Sequence, residues 1–227
     1  MQKHNHLEGI IVIDKPSGMT SHDVVDVVRK KLGMRRIGHA GTLDPIATGV
    51  LILLVGKATK LFSCFEGFDK EYEATLTLGK TTDTGDIEGI VIKESPVDHI
   101  SQQQVDQAFS QFVGSIEQVP PMVSALKHNG KRLYELARKG VDVPRKARAI
   151  NIHSLKILKF DLPNIDFYAH CSKGTYIRKL GEDIGNTLEV GGHISRIRRT
   201  GIGQFTLNQA VQLDDVNEHS IRRWSDQ

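Results

Sequence analysis

Apolar and polar positions alternate in short segments along the chain, and the first of these segments predict a strand followed by a helix. Residues 9–13 form an apolar run that ends in the turn-rich sequence Asp-Lys-Pro-Ser-Gly, which is typical of a strand entering a loop. Thr20 or Ser21 can then cap a helix, because apolar residues recur at helical spacing over 24–32 and Gly33 supplies a C-terminal stop.

The remaining pattern mixes strands and helices without the regular alternation of a parallel sheet. Residues 34–48 lack periodicity and are rich in Gly, Thr and Pro, so we predict a loop there. The mixture favours an α+β fold over a doubly wound sheet. The other predicted elements are a buried strand over 49–55, a half-buried strand over 72–78, a helix behind a Ser101/Gln104 capping box, a short helix from Leu133 that ends at Gly140, strands over 150–160 and 165–171, and a helix over 176–188.

Composition limits the class of protein. The chain has 227 residues, 39% of them hydrophobic, and a domain of this size buries roughly 70% of the surface that its unfolded chain exposes. No low-complexity stretch marks a linker, so we interpret residues 1–227 as one domain. The longest apolar run, over 50–55, is far shorter than the roughly 20 residues of a membrane helix, and the N-terminus is too polar for a signal peptide. We therefore expect a cytoplasmic protein.

Spacing argues against several common kinds of site. Cys64 and Cys171 belong to no C-x-x-C pair, so neither a disulfide framework nor a zinc ribbon is indicated, and both are expected to be ordinary buried thiols. Residues 56–59 resemble the end of a phosphate-binding P-loop, but the upstream Gly and the Ser/Thr directly after the Lys are missing. A nucleoside triphosphatase is excluded on this ground.

Charge is distributed unevenly along the chain. The net charge is only +3, but residues 123–160 contain ten Lys/Arg against two acidic residues. Over 66–106 the balance reverses, with ten acidic residues against three Lys. This polarity suggests a basic face for a polyanion, although a run of charges can also be a solvated surface.

The predicted loop contains the best candidate for chemistry, in the sequence GHAGTLDPIATGVL over 38–51. Three glycines allow close backbone approach, and Pro45 biases Asp44 towards an extended conformation. A carboxylate on such a stiff support can act as nucleophile, general base or metal ligand. An Asp before Pro is also common in ordinary turns, so the residues alone leave both interpretations open.

This loop resembles the catalytic loop of the TruB family of tRNA pseudouridine-55 synthases. The resemblance implies the pseudouridine synthase fold, a mixed and largely antiparallel sheet flanked by helices with an inserted basic thumb over about 122–148. It also implies isomerisation of uridine 55 in the TΨC loop of tRNA. Five further blocks resemble the family: GIIVIDKPSGMTSHDVV (9–25), DKEYEATLTLGKTTDTGDIEG (69–89), VPPMVSALKHNGKRLYELARKG (119–140), HCSKGTYIRKLGEDIG (170–185) and GGHISRIRRTGIGQF (191–205).

The resemblance implies a role for each matching residue. Asp44 is the catalytic carboxylate of a covalent route in which the glycosidic bond breaks, uracil rotates and a carbon–carbon bond forms, without cofactor or metal. Arg178 supplies the cation that keeps this carboxylate ionised, and the ring of Tyr72 stacks on uracil. Tyr176 contacts the substrate. Taken alone, Arg178 could equally be a snorkelling surface residue and Tyr72 a packing residue.

Four more residues match family positions around the site. His39 is expected to fill the space left by a flipped-out base, and Ile197 stands where the family usually has leucine. Lys15, with Pro16, resembles a motif that braces the catalytic loop. Asp86 matches an acidic position near the site, and a purely structural role is an equal alternative.

The thumb is expected to bind the RNA arm through its phosphates, which gives salt-dependent affinity. The residues expected to contribute are Lys127, Lys131, Arg132 and Arg145, to which Lys173, Arg196, Arg198 and Arg199 are added.

The clearest departure from the family is length: many members carry a C-terminal PUA domain, whereas this sequence ends at Gln227 shortly after the region that resembles the catalytic domain, so we expect no PUA domain. We expect a stand-alone, monomeric enzyme that acts on tRNA without a membrane or an obligatory protein partner. A guide-RNA-dependent pseudouridine synthase is one alternative, and an RNA chaperone that refolds tRNA without chemistry is another. The sequence of the thumb and the presence of Asp44, Tyr72 and Arg178 favour the stand-alone enzyme.

Overall fold

The structure is a computed structural model and describes residues 7–124 and 126–224, except for the side chains of Lys127 and His128. The α-helices are α1 (Ser21–Leu32), α2 (Phe62–Glu66), α3 (Gln102–Ser110), α4 (Leu133–Ala137) and α5 (Ile177–Thr187). The strands are β1 (Gly9–Lys15), β2 (Ile37–Ala40), β3 (Thr48–Val55), β4 (Lys70–Leu78), β5 (Lys80–Thr82), β6 (Val91–Glu94), β7 (Gly114–Gln118), β8 (Lys127–His128), β9 (Lys131–Arg132), β10 (Arg148–Asp161), β11 (Asn164–Cys171), β12 (Gly192–Ile202), β13 (Phe205–Thr206) and β14 (Val211–Gln212).

The chain folds into two compact units. One comprises Met1–Tyr72 and Arg198–Gln227, and the other comprises Glu73–Ile197. The chain passes from one unit to the other within β4 and again within β12. The interpretation of residues 1–227 as a single catalytic domain stays a prediction.

The first unit is built around the hydrophobic strands β1 and β3, which pair antiparallel from Gly9↔Val55 to Lys15↔Gly49. β2 pairs antiparallel with β3, β14 pairs parallel with β1, and the end of β12 pairs parallel with β3. β1 and β3 carry continuous apolar runs because their side chains are buried on both faces of the sheet. Ile11, Ile13 and Leu51 are completely buried.

The second unit contains the long antiparallel pair β10 and β11, with β7 antiparallel to β10. The unit also contains two small antiparallel pairs, β5–β6 and β8–β9. Phe109 of α3 packs edge-on against Phe167 of β11, with ring centroids 5.6 Å apart. Because the strands of both units pair mostly antiparallel and are accompanied by a few helices, the predicted α+β class is confirmed.

Helix boundaries follow the local signals. Thr20 is the N-cap of α1 and forms a capping box with Asp23, and Gly33 ends the helix in the left-handed conformation with φ 62°. The Ser101/Gln104 capping box opens α3 in the same way. In the part of the chain that the structure describes, no helix is long and apolar enough to cross a membrane.

Two predictions were wrong. The segment 34–48 is not entirely a loop, because Ile37–Ala40 forms β2 through hydrogen bonds to the distant strand β3. Irregular structure remains at 34–36 and at 41–47. Cys171 is buried as expected, but Cys64 is exposed because it lies in the short surface helix α2, whose one buried residue is Phe65.

Candidate active site

The loop that carries Asp44 connects β2 to β3 in the first unit. The amide of Ala47 donates to the carbonyl of Asp44 at 3.0 Å, which closes a tight turn over the Asp-Pro sequence. At the end of the loop, Gly49 has φ 100°, and a Cβ placed there would lie 2.2 Å from the carbonyl oxygen of Arg199. Only glycine therefore allows β3 to approach β12 this closely.

Lys15 ties the β1 turn to the loop from inside the protein. Its side chain is completely buried, although lysine is almost never so. The ammonium donates to the carbonyls of Pro16 (2.7 Å), Met19 (2.6 Å) and Pro45 (3.2 Å). Because Pro45 directly follows Asp44, this burial agrees with the bracing role that the resemblance implies for Lys15.

Helix α1 holds the other side of Asp44. The amide of Leu43 donates to Ser21 Oγ at 2.8 Å, and the Ser21 hydroxyl lies 3.2 Å from the Leu43 carbonyl as a donor. Ser21 is buried at the start of α1, whose position is set by the Thr20 capping box. The residues on both sides of Asp44 are thus fixed by buried side chains.

Arg199 lies beneath the same loop. Its side chain is 1% exposed, and it donates from Nε to the carbonyl of Val50 (2.8 Å), from Nη1 to that of Thr42 (3.3 Å) and from Nη2 to that of Gly41 (3.1 Å). Burial lowers the pKa of Arg199, while a hydrogen bond and charge interaction with Tyr72 and the charge of Asp44 act in the opposite direction.

The prediction that Arg199 adds to an RNA-binding surface was therefore wrong, because a buried guanidinium cannot reach a phosphate. Arg199 lies two residues after Ile197 in β12, a strand that was not predicted, so both side chains point to the same face of the strand. Ile197 is itself buried, at 5% exposure. Arg198, on the opposite face, forms an ion pair with Asp14 at 2.7 Å.

The first unit also holds Tyr72 and His39 of the predicted residues. Tyr72 is buried on β4, and the side chain of Arg199 hydrogen-bonds to it. His39 is half-buried on β2, opposite Leu53 of β3. Asp44, Lys15, Tyr72 and His39 therefore belong to one compact unit.

In the second unit, Arg178 and Asp86 form a buried ion pair. Arg178 lies in the first turn of α5, with its side chain 2% exposed, and its Nη1 is 3.6 Å from the Asp86 carboxylate. Arg178 also donates to the carbonyls of Thr84 (2.9 Å) and Val123 (2.7 Å). Arg178 is thus not a snorkelling surface residue, and its pairing with Asp44 stays a prediction.

Tyr176 is held by a residue that sequence reasoning missed. The amide of Tyr176 donates to Gln118 Oε1 at 2.8 Å, and Gln118 Nε2 donates back to the Tyr176 carbonyl at 3.1 Å. Gln118 is buried at the end of β7. Nothing in the local pattern identified this glutamine, because its partner is 58 residues away.

Only some of the basic side chains of the thumb are exposed without a described ion pair. Lys131 and Arg132 are exposed on β9, whereas Arg145 donates to the Pro120 carbonyl at 3.1 Å and pairs with Asp142 at 3.2 Å. The side chain of Lys127 lies outside the described residues. Elsewhere in this unit Lys173 is exposed, and Arg196 pairs with Asp166 at 3.6 Å.

We expect Asp86→Asn to lower the free energy of unfolding by about 3 kcal/mol, because it breaks a buried ion pair with Arg178. Urea denaturation measures the change. Asp161→Asn is the matched control, since it breaks the exposed ion pair between Lys159 and Asp161 and should alter stability little. Equal stability of the two variants would contradict the structural importance of the buried pair.

Comparisons with known proteins show the family of the chain. Residues 29–177 match the family model for the N-terminal domain of TruB family pseudouridylate synthases, and residues 178–226 match that for the tRNA pseudouridylate synthase B C-terminal domain. The chain is 45% identical to tRNA pseudouridine synthase B of Opitutus terrae, over 95% of this chain and 90% of that protein. It is 48% identical to tRNA pseudouridine synthase B of Syntrophotalea carbinolica, over 92% and 69%.

Among solved structures, the chain is similar to one in the crystal structure of a Cbf5-Nop10-Gar1 complex, with a TM-score of 0.73 and 31% identity. The similarity covers 93% of this chain and 54% of that one, so the chain spans about half the length of this relative. The family models and the relatives cover the Asp44 loop, β12 and α5 alike. The protein belongs to the TruB family of pseudouridylate synthases.

Proposed function

We propose that this protein converts uridine 55 in the TΨC loop of tRNA to pseudouridine, with Asp44 as the catalytic carboxylate. The observation that carries the proposal is the fixation of the Asp44 loop by three buried side chains, those of Lys15, Ser21 and Arg199. Burial of the two cations, Lys15 and Arg199, costs desolvation energy, and this cost supports a functional role for the loop that they hold.

The proposed reaction needs a correctly oriented carboxylate rather than a redox or metal cofactor. The bond between C1′ and N1 breaks, uracil rotates, and a bond forms between C1′ and C5. The C5 hydrogen leaves as a proton and N1 takes up a proton, so the product is an isomer of the substrate and no electrons are gained or lost. Attack of the carboxylate on C1′, attack on the base and removal of the C2′ proton are three possible routes. Each requires a carboxylate oxygen held in a fixed position, and the contacts of Lys15, Ser21 and Arg199 with the loop support this role for Asp44.

The other residues have supporting roles in this proposal. The target base must leave its stack, at a cost of a few kcal/mol. His39 fills the vacated space and recovers part of the stacking, while Tyr72 stacks on the flipped uracil. Arg178 is the proposed cationic partner of Asp44, and Tyr176 and Ile197 contact the base.

RNA binding is assigned to the basic thumb. Arg132 and Arg138 both lie over the ring of Tyr134, at 5.9 and 5.4 Å from its centroid, which holds two long cationic side chains in defined positions. Phosphate contacts of this kind position an RNA arm without reading its sequence. The proposed enzyme acts in the cytoplasm as a monomer, without an obligatory protein partner.

We expect Arg132→Gln to weaken tRNA binding and to reduce the slope of log affinity against log salt concentration by about 1, as for the loss of one phosphate contact. Filter binding at several salt concentrations measures the slope. Lys93→Gln, in the acidic region of the chain, removes the same charge from an exposed strand and should leave the slope unchanged. A change of equal size in both variants would show that net charge, not the thumb, governs binding.

The proposed function is tested with purified protein and an unmodified tRNA transcript in which pseudouridine is mapped to position. We expect product at uridine 55 and none in a transcript with cytidine at that position. Product at other uridines would contradict the proposed site choice.

The Cbf5 relative was crystallised with Nop10 and Gar1, so a guided enzyme is the second candidate. A guided enzyme would leave the bare transcript unmodified while binding it. Rescue of growth by an Asp44→Ala variant, in cells that need the protein, would instead favour the RNA chaperone.

A further inference from the structure

Arg199 has an environment that differs from those of the exposed cations of the thumb. Lys131 and Arg132 face solvent, whereas Arg199 is 1% exposed and its donors point at main-chain carbonyls of the Asp44 loop and of β3. A guanidinium in the interior is retained only where its charge and its five N–H groups are matched. Three carbonyls, the side chain of Tyr72 and the charge of Asp44 supply the match.

Arg199 bonds both the Asp44 loop and Tyr72, which carry the groups assigned to the proposed chemistry. Nη1 and Nη2 bond the loop two and three residues before Asp44, and the same side chain hydrogen-bonds to Tyr72. Arginine has no acceptor, so the Tyr72 hydroxyl accepts from it and directs its own hydrogen elsewhere. One planar group thus bonds both the tyrosine and the main chain of the loop.

We propose that Arg199 is a positioning residue of the reaction: from beneath the loop, its guanidinium fixes the Gly41–Thr42 peptide and the Tyr72 hydroxyl together, so that Asp44 and Tyr72 face the flipped uridine in one geometry. The inference rests on the proposed function and assigns to that site a residue that does not touch the RNA. Its effect belongs to the chemical step, because a buried side chain contributes nothing to phosphate binding.

The position of Arg199 in β12 explains how it can hold this geometry. Arg199 and Gly49 are partners in the parallel pairing of β12 and β3, and the absence of a side chain at Gly49 brings the two strands together. A lysine at 199 keeps the charge but lacks the planar fork that reaches several acceptors at once. Arg199→Lys therefore loses the geometry of the guanidinium alone, whereas Arg199→Met loses both the geometry and the charge.

The test measures single-turnover rate and tRNA affinity separately. We expect Arg199→Met to reduce the rate by about 100-fold and Arg199→Lys by about 10-fold, with tRNA affinity within about 2-fold of wild type in both. Val105→Ala in α3, which removes buried volume far along the chain from the site, is the stability control and should leave the rate of the folded protein unchanged. If Arg199→Met does not fold, Arg199→Lys carries the test.

Coupling to Tyr72 provides a readout that a merely structural residue would not move. Tyr72→Phe removes only the hydroxyl, and the double variant with Arg199→Lys should lose much less than the product of the two separate losses. Independent, multiplicative losses would overturn the proposal. A wild-type rate in Arg199→Lys, or a rate loss matched by an equal loss of affinity, would overturn it as well.

Hydrogen exchange separates failure of this inference from failure of the proposed function. Backbone amides over 42–50 should exchange about 10-fold faster in Arg199→Lys than in wild type, while those of α3 stay unchanged. If wild-type protein makes no pseudouridine, the proposed function fails. The positioning claim fails separately if the loop amides of Arg199→Lys exchange at the wild-type rate.

Discussion

Asp44→Asn should abolish pseudouridine formation while tRNA binding stays within about 3-fold of wild type. The amide has nearly the size of the carboxylate, and the main-chain bond from Ala47 to the carbonyl of residue 44 does not involve the side chain. An uncharged amide is neither a nucleophile nor a base at neutral pH, so we expect a loss of at least about 10⁴-fold in single-turnover rate. Asp214→Asn, an exposed change in the same unit, is the matched control.

Retention of more than about a tenth of the wild-type rate in Asp44→Asn would remove the carboxylate from the mechanism, since such a small loss is typical of a peripheral contact. Loss of tRNA binding in parallel with loss of rate would instead assign Asp44 a role in the shape of the loop. The proposal requires the rate to fall alone.

Lys15→Met should lower the free energy of unfolding by about 3 kcal/mol, because the methionine fills the volume of the lysine but removes the ammonium that donates to three carbonyls. One of these carbonyls belongs to Pro45, so we also expect the rate of isomerisation to fall by about 100-fold as the Asp44 loop loses its support. Urea denaturation and single-turnover rates measure the two effects.

Lys57→Met is the control for this change. Lys57 is exposed and pairs with Glu8 at 3.5 Å, so its loss should alter neither stability nor rate. Unchanged stability in Lys15→Met would mean that the cost of burying the ammonium cancels its hydrogen bonds. An unchanged rate in Lys15→Met would contradict the bracing role.

The elements that local chemistry defines were predictable from the sequence. The capping boxes at Thr20 and Ser101 join residues three positions apart, and the structure has both. The buried strand over 49–55 was also clear from its continuous apolar run. β2 was not predictable, since its four residues carry no pattern of their own and become a strand only by pairing with β3.

The site was predictable as a set of residue types and not as a set of contacts. The sequence indicated Asp44 and its stiff support, but the buried ion pair of Arg178 and Asp86 joins residues 92 positions apart. Arg199 was grouped with surface cations because counting charges treats every arginine as exposed. Burial and the partner of a charged group depend on the neighbouring strand, which composition does not reveal.

The most direct test of the central claim is release of tritium from a tRNA transcript labelled at C5 of its uridines. Formation of the bond between C1′ and C5 must expel the C5 hydrogen, whichever covalent route Asp44 follows. The proposal predicts a single tritium released per molecule of tRNA by wild-type protein, and none by Asp44→Asn or from a transcript with cytidine at position 55. Wild-type protein that binds the transcript and releases no tritium would contradict the claim that the chain alone isomerises tRNA.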